Sequence, residues 1–430
     1  MNKQIKIFIY CISSILLLSQ TSCKKNFVNP GAATDVQVFS SQQGLTGVAV
    51  GLQRVYTEGR GSSLYNRVSL NGLLTNELIV LNQGNTSEYQ LQLGGGSVDG
   101  TNTILGGLWT TSNKIIYDAN KVITSAATLG DKTYASGLIG YATIFKALAL
   151  GDLSMFWEKV PANIGQNVSF VDRVQGFTTA NTAIDNALAA ISANAISSAF
   201  LANIPVGIDI VNTLHALKAR YSLFIGNYAQ ALAEANLVNL AVKSTFNFTT
   251  VNLNPIFETA TSTNNVYAAI DNTTLGLPAA LQPDPADKRL TFYTTTAYAA
   301  KILGFGAAST TAWPIYLPGE ITLIKAEAYA RQSTPDLVNA LIELNKVVTK
   351  QPAADPFGVG AGLPPLVALT QSQILDQIYR NRSIELFMSG LRLEDTRRFG
   401  RPTTEKRRNL LPYPFLERDN NSNTPPDPSF

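Results

Sequence analysis

The chain has 430 residues, 45% of them hydrophobic and 15% charged, which is enough apolar material for a large core in one or two domains. Its formal net charge of +3 falls by two if Lys3 and Lys6 are removed with a leader, and so small a charge excludes a broad basic field for nucleic acid. One histidine and two cysteines leave little from which to build a tetrahedral N/S metal centre or a Cys-His nucleophile.

Residues 1–22 read as an export signal. Lys3 and Lys6 form the positive start, and "IFIYCISSILLL" (Ile7 to Leu18) is an apolar run too short to span a bilayer securely. In "SQTSCKKNF" the small residues Thr21 and Ser22 precede Cys23, the arrangement of a bacterial lipoprotein cleavage site, so Cys23 is the expected lipidation site and membrane anchor. Cys11 then leaves with the signal and Cys23 is consumed by lipid. The mature chain would carry no disulfide, and packing alone must hold it. Residues 23–40 are polar and turn-rich, a tether, with the folded body starting at residue 41. No later run of 18 apolar residues is expected to cross a membrane.

Residues 59–107 and 245–317 have weak periodicity and many Gly, Thr, Asn and Pro residues; such long connections are the places to look for a ligand site. Between and after them lie helical pairs. Near 109–152, Trp109, Ile116, Ala119 and Ile123 recur at helical spacing, and the pattern runs on to a stop at Gly151-Asp152. Residues 213–241 give two amphipathic runs meeting at Gly226-Asn227, with Ala216, Ala219, Ala231 and Ala235 allowing close approach. Residues 320–348 repeat the plan around Ser333-Thr334-Pro335. Both pairs resemble tetratricopeptide hairpins, which stack to bury a shared core.

His215, the single histidine, sits inside the 213–241 pair among Leu214, Leu217 and Ala219, where a packed helix residue is a better reading than a triad member. Asp284 and Asp287 in "QPDPADKR" could meet a sugar hydroxyl or a metal ion, against the alternative of a solvated Pro-rich turn. "GGGSVDG" (Gly94 to Gly100) lacks the flanking strand and helix of a dinucleotide fingerprint and reads as a flexible loop. Tyr65, Tyr89, Tyr293, Trp313 and Tyr316 lie in or beside the long connections. As a group they suggest an aromatic platform, since a flat ring matches the apolar face of a sugar.

The last region, 370–430, concentrates charge: Arg380 to Arg401 holds six arginines and three carboxylates. Thr370 and Gln373 make a capping box, predicting a helix that runs on to a left-handed stop at Gly390, and a second short helix should cover about 392–399. Arg382 lies three residues from Glu385, Asp395 three from Arg392 and Arg398, and Glu394 four from Arg398, all cross-linking spacings on a helix.

This pattern, carried by Arg382, Glu385, Leu386, Gly390, Arg392, Asp395, Arg398 and Gly400, resembles the C-terminal signature of the SusD/RagB family of outer-membrane nutrient-binding lipoproteins. "PIYLPGEITLIKAEAYAR", "LLPYPFLERDNNSN", "WTTSNKIIYDANKVI", "LGDLSMFWEKVP" and "CKKNF" resemble other family segments in the same order. The chain departs from the pattern at Ser389, where a glutamate is usual, at Leu391, where a histidine is common, at Leu317, where an arginine is often found, and at its final "DPSF", where "NPGY" is usual. The resemblance implies a single all-α domain over 41–430, built on tetratricopeptide-type hairpins, with long inserted loops as the ligand face. It implies no catalysis and no cofactor. Oligosaccharide, or peptide, would be the ligand, and a SusC-like TonB-dependent outer-membrane barrel the partner, with the protein facing the cell exterior. A periplasm-facing scaffold and a surface glycoside hydrolase with a paired-carboxylate cleft are the competing readings.

Overall fold

The computed structural model describes residues 35–430 except 262–264 and 297–298, and the side chains of residues 35, 36 and 261 are also outside the description. The export signal, Cys23 and most of the proposed tether therefore lie outside the described residues. Short helix Asp35–Phe39 precedes helix Gln42–Thr57, which Ser41 caps by accepting from the Gly44 amide. This helix packs against the long pair Thr103–Ala126 and Lys132–Phe156.

Lys132–Phe156 is the central helix. Asp131 caps it, accepting from the Thr133 and Tyr134 amides at 3.1 and 3.0 Å, and nearly every side chain from Tyr134 onward is buried. By length and composition it could cross a membrane, yet 89% of its apolar window is buried inside the protein, as expected of a core helix. The stop expected at Gly151-Asp152 does not occur, and the helix runs through both to Phe156. Gly151 makes room instead: a Cβ there would fall on the hydroxyl end of Tyr221, whose ring stacks on Phe177. Gly151→Ala is expected to destabilise the fold by about 1–2 kcal/mol net, because overpacking outweighs the ~1 kcal/mol of helix propensity gained. The midpoint of urea unfolding reads this directly.

A 21-residue helix, Arg173–Ala193, not among the expected helices, packs along Lys132–Phe156 and against Ile210–Phe224. The two hairpins follow: Ile210–Phe224 with Tyr228–Leu237, and Pro318–Arg331 with Leu337–Val348. Their turns fall at Gly226, whose φ of 76° needs no Cβ, with Asn227 capping the next helix, and at Ser333-Thr334-Pro335. The second hairpin shares a core of Leu323, Ala326, Ala330, Leu344 and Val347 with Ile374 and Ile378 of helix Gln371–Glu385, which opens on the expected capping box. That helix ends earlier than expected, at Glu385. The chain then turns with Met388 and Gly390 at φ of 62° and 82° before helix Arg392–Arg398.

Among the described residues, three two-stranded antiparallel ribbons punctuate the helices: Leu78–Val80 with Tyr267–Ala269, Lys159–Pro161 with Phe170–Asp172, and Thr245–Phe246 with Trp313–Pro314. The first joins the two regions read as loops, and the third closes the second of them at its base.

Candidate functional site

Residues 59–107 are less loop-like than their composition suggests. Helix Ser63–Leu74 is buried on every side, and Ser62 caps it by accepting from the Tyr65 amide. A helix with no solvent face has no amphipathic pattern to read. Helix Thr86–Leu93 follows, and between the two elements lies a polar cleft of about 470 Å³.

Arg60, Asn66, Asn85, Ser87, Glu88 and Thr103 supply its polar groups, and no aromatic ring lines it. Glu88 is buried at 1% exposure and anchors the wall: its Oε1 accepts from the Tyr65 hydroxyl at 2.7 Å and from Arg60 Nη2 at 2.5 Å. Arg60 is half exposed and also donates to Asn85 Oδ1 at 3.1 Å, so the fork is held while one face remains open to solvent. On the facing edge the Ser87 and Thr103 hydroxyls share a hydrogen bond of 2.8 Å. Guanidinium, amide and hydroxyl groups arranged this way suit a ligand rich in hydroxyls, with donors and acceptors fixed before it arrives. "GGGSVDG" borders this region as an anchored segment: the Gly95 amide donates to the Arg407 carbonyl at 3.0 Å and the Phe415 amide to the Gly100 carbonyl at 3.0 Å.

The aromatic platform is overturned. Tyr65, Tyr293, Trp313 and Tyr316 are buried at 0, 3, 6 and 2% exposure, so their faces pack against protein. Tyr65 stacks on Tyr267 and reaches the cleft only through Glu88. The Tyr293 hydroxyl donates to the Glu385 carbonyl at 2.6 Å, and Trp313 packs on Phe305. Tyr89 is partly buried against the core. Asp284 is exposed, accepts from the Ala286 amide at 2.8 Å, and borders a separate cleft of about 270 Å³ beside Arg380 and Gln377. Asp287 is no solvated turn residue: it is buried and takes Arg289 Nε and Nη2 at 2.9 and 2.6 Å. His215 Nδ1 meets Glu234 at 2.6 Å across its hairpin.

The arginine-rich segment is an internal clasp. Of the local pairs expected, Asp395 with Arg398 forms, at 2.6 Å. The others are redirected to distant elements: Arg382 Nε donates to Asp395 at 2.9 Å, Glu385 takes Arg289 at 3.1 Å and Lys350 at 2.7 Å, and Arg398 also reaches Glu327. Glu394 pairs with Arg173 and Arg397, and Arg392 donates to the Leu275 carbonyl at 2.7 Å. Burial pushes the Asp395 carboxyl up, but the charges of Arg382 and Arg398 outweigh it and hold the group below the usual carboxylate range. Gly390 completes the turn; a Cβ there would sit 2.6 Å from Arg67 Cγ.

Solved structures share this architecture. A SusD superfamily protein from Bacteroides fragilis superposes with a TM-score of 0.70 at 15% identity, covering 90% of this chain and 99% of its own. A SusD homolog from Bacteroides thetaiotaomicron gives 0.70 at 13% identity over 93% and 99%. A SusD-like carbohydrate binding protein from Bacteroides fragilis gives 0.63 at 13% identity over 84% and 87%. No family model and no curated protein matches the chain. The fold is therefore SusD-like and all-α, with hairpins of tetratricopeptide type, over nearly the whole chain.

Proposed function

We propose that this protein is a non-catalytic glycan-binding lipoprotein, held at the outer membrane by lipid on Cys23 and delivering oligosaccharide to a SusC-like TonB-dependent barrel. One observation carries the glycan reading: a preorganised cleft of guanidinium, amide and hydroxyl groups between Arg60 and Thr103, set in a fold shared with a protein described as carbohydrate binding. The leader and the Cys23 context support the anchor, and the fold likeness together with the signature supports the barrel as partner.

Calorimetric titration of the purified chain with a panel of oligosaccharides and peptides tests the ligand class. Arg60→Ala should weaken oligosaccharide binding about tenfold, the loss of roughly one charged hydrogen bond, and lower stability by about 1–3 kcal/mol because buried Glu88 keeps only the Tyr65 hydroxyl. Unchanged affinity would remove the cleft from the binding surface. Chromatography of the incubated glycans should show no cleavage, since new reducing ends would mean a hydrolase. Co-purification with the barrel, and loss of membrane association in Cys23→Ala, test the rest of the proposal.

A further inference from the structure

Four buried polar atoms without a protein hydrogen-bond partner belong to residues that line one small cavity. They are Arg67 Nε, Arg220 Nη1, the Tyr316 hydroxyl and Ser389 Oγ, each buried, and all four residues line the same space. Glu320 also lines it, and its other walls are apolar, chiefly Phe305, Trp313, Leu317, Leu386 and Phe387. Arg67, Arg220 and Tyr316 are 6, 1 and 2% exposed, so bulk solvent does not reach them. Leaving even one such group unsatisfied is costly, and four of them on residues that line one space form a coherent set. The volume open to a molecule of water's size is about 20 Å³, enough for a single water and too little for a sugar.

The surrounding charges say which small occupant fits. Arg220 holds Glu320 through Nε at 2.5 Å and Nη2 at 2.8 Å, and Arg67 Nη1 lies 3.6 Å from Asp152. Each guanidinium is thus matched by a carboxylate, and the pocket offers an anion no excess positive charge.

We propose that this cavity is a built water site, in which one ordered water accepts from Arg67 Nε and Arg220 Nη1 and bonds the Tyr316 and Ser389 hydroxyls. It would cross-link helix Ser63–Leu74, helix Ile210–Phe224, the start of the second hairpin and the Leu386–Ser389 turn, elements far apart in sequence.

Crystals of the mature protein diffracting well enough to order solvent test this, alongside thermal unfolding of Tyr316→Phe. The expected result is an isolated peak within hydrogen-bond distance of at least two of the four atoms. Tyr316→Phe should melt about 2 °C lower, since it removes a bond to the water. An unchanged or raised melting temperature would overturn the proposal, because deleting a hydroxyl from a dry cavity relieves an unsatisfied group. So would an anomalous peak there after a bromide soak, which would make the occupant an anion, or side chains found filling the space.

Discussion

Asp395→Ala is expected to lower the unfolding free energy by about 3–5 kcal/mol, the range for breaking one side of a buried ion pair. Its carboxylate sits between Arg382 and Arg398 at 2.9 and 2.6 Å, and the substitution leaves both guanidinium groups short of a counter-charge inside the protein. Arg398 keeps Glu327, but Arg382 does not: its two Nη atoms already lack protein partners, so removing Asp395 strands it. Because the Asp395 carboxyl is held below its ordinary range, its contribution is present above the unfolded value near pH 4 and is lost as pH falls toward the lower folded value. Arg392→Ala should act in the same direction by about 1–3 kcal/mol, through the lost bond to Leu275 and a buried acceptor left unpaired. Guanidinium unfolding curves measure both, with oligosaccharide titration in parallel. An Arg392→Ala protein of unaltered stability that loses binding selectively would make this segment a ligand site and end the clasp interpretation.

Asp152 should produce the opposite pH dependence. It is buried in the central helix, where desolvation pushes its carboxyl up to about 6, partly offset by Arg67 and by the Tyr56 hydroxyl, which donates at 3.1 Å. The folded state thus holds this proton more tightly than the unfolded chain does. The favourable contribution is complete well below pH 4, is lost as pH rises through about 6, and is constant above about pH 7. A shift of about two pH units corresponds to roughly 3 kcal/mol. Wild type should therefore lose about that much stability between about pH 3 and 7 relative to Asp152→Asn. Parallel unfolding midpoints of the two proteins across that interval would rule out the assignment.

The hairpins were legible because their second helices, Tyr228–Leu237 and Leu337–Val348, have one buried and one solvated face, and because Gly226, Thr370 with Gln373, and Pro335 mark ends through local backbone chemistry; their first helices are buried nearly all round. Arg173–Ala193 was missed although its buried Phe177, Ala180, Ile184 and Ala187 recur at helical spacing. Ser63–Leu74 is enclosed on all sides and so carries no period, and Gly151 was read as a stop because its role depends on Tyr221, distant in sequence. The candidate cleft was located only as a region. Glu88 became its anchor through contacts 23 and 28 residues away, which no spacing rule connects. Aromatic residues misled for a related reason: a ring is equally suited to a core and to a sugar, and composition does not say which face is dry.

The sequence alone determined what depends on neighbours along the chain: the apolar faces of the hairpins, the capping box at Thr370, the left-handed turns at Gly226 and Gly390, and the Cys23 context. It also carried the ordered motifs that resemble SusD-like proteins. Tertiary structure decided what depends on burial and on pairs distant in sequence. Folding took Arg382 and Glu385 from the expected local pair to Asp395 and Arg289, added Arg382 to the expected Arg398 at Asp395, turned four candidate binding aromatics inward, and assembled a polar cleft around Glu88. The reason is that a charge removed from water must be matched by whichever opposite charge the fold brings near, and that choice is made in space rather than along the chain.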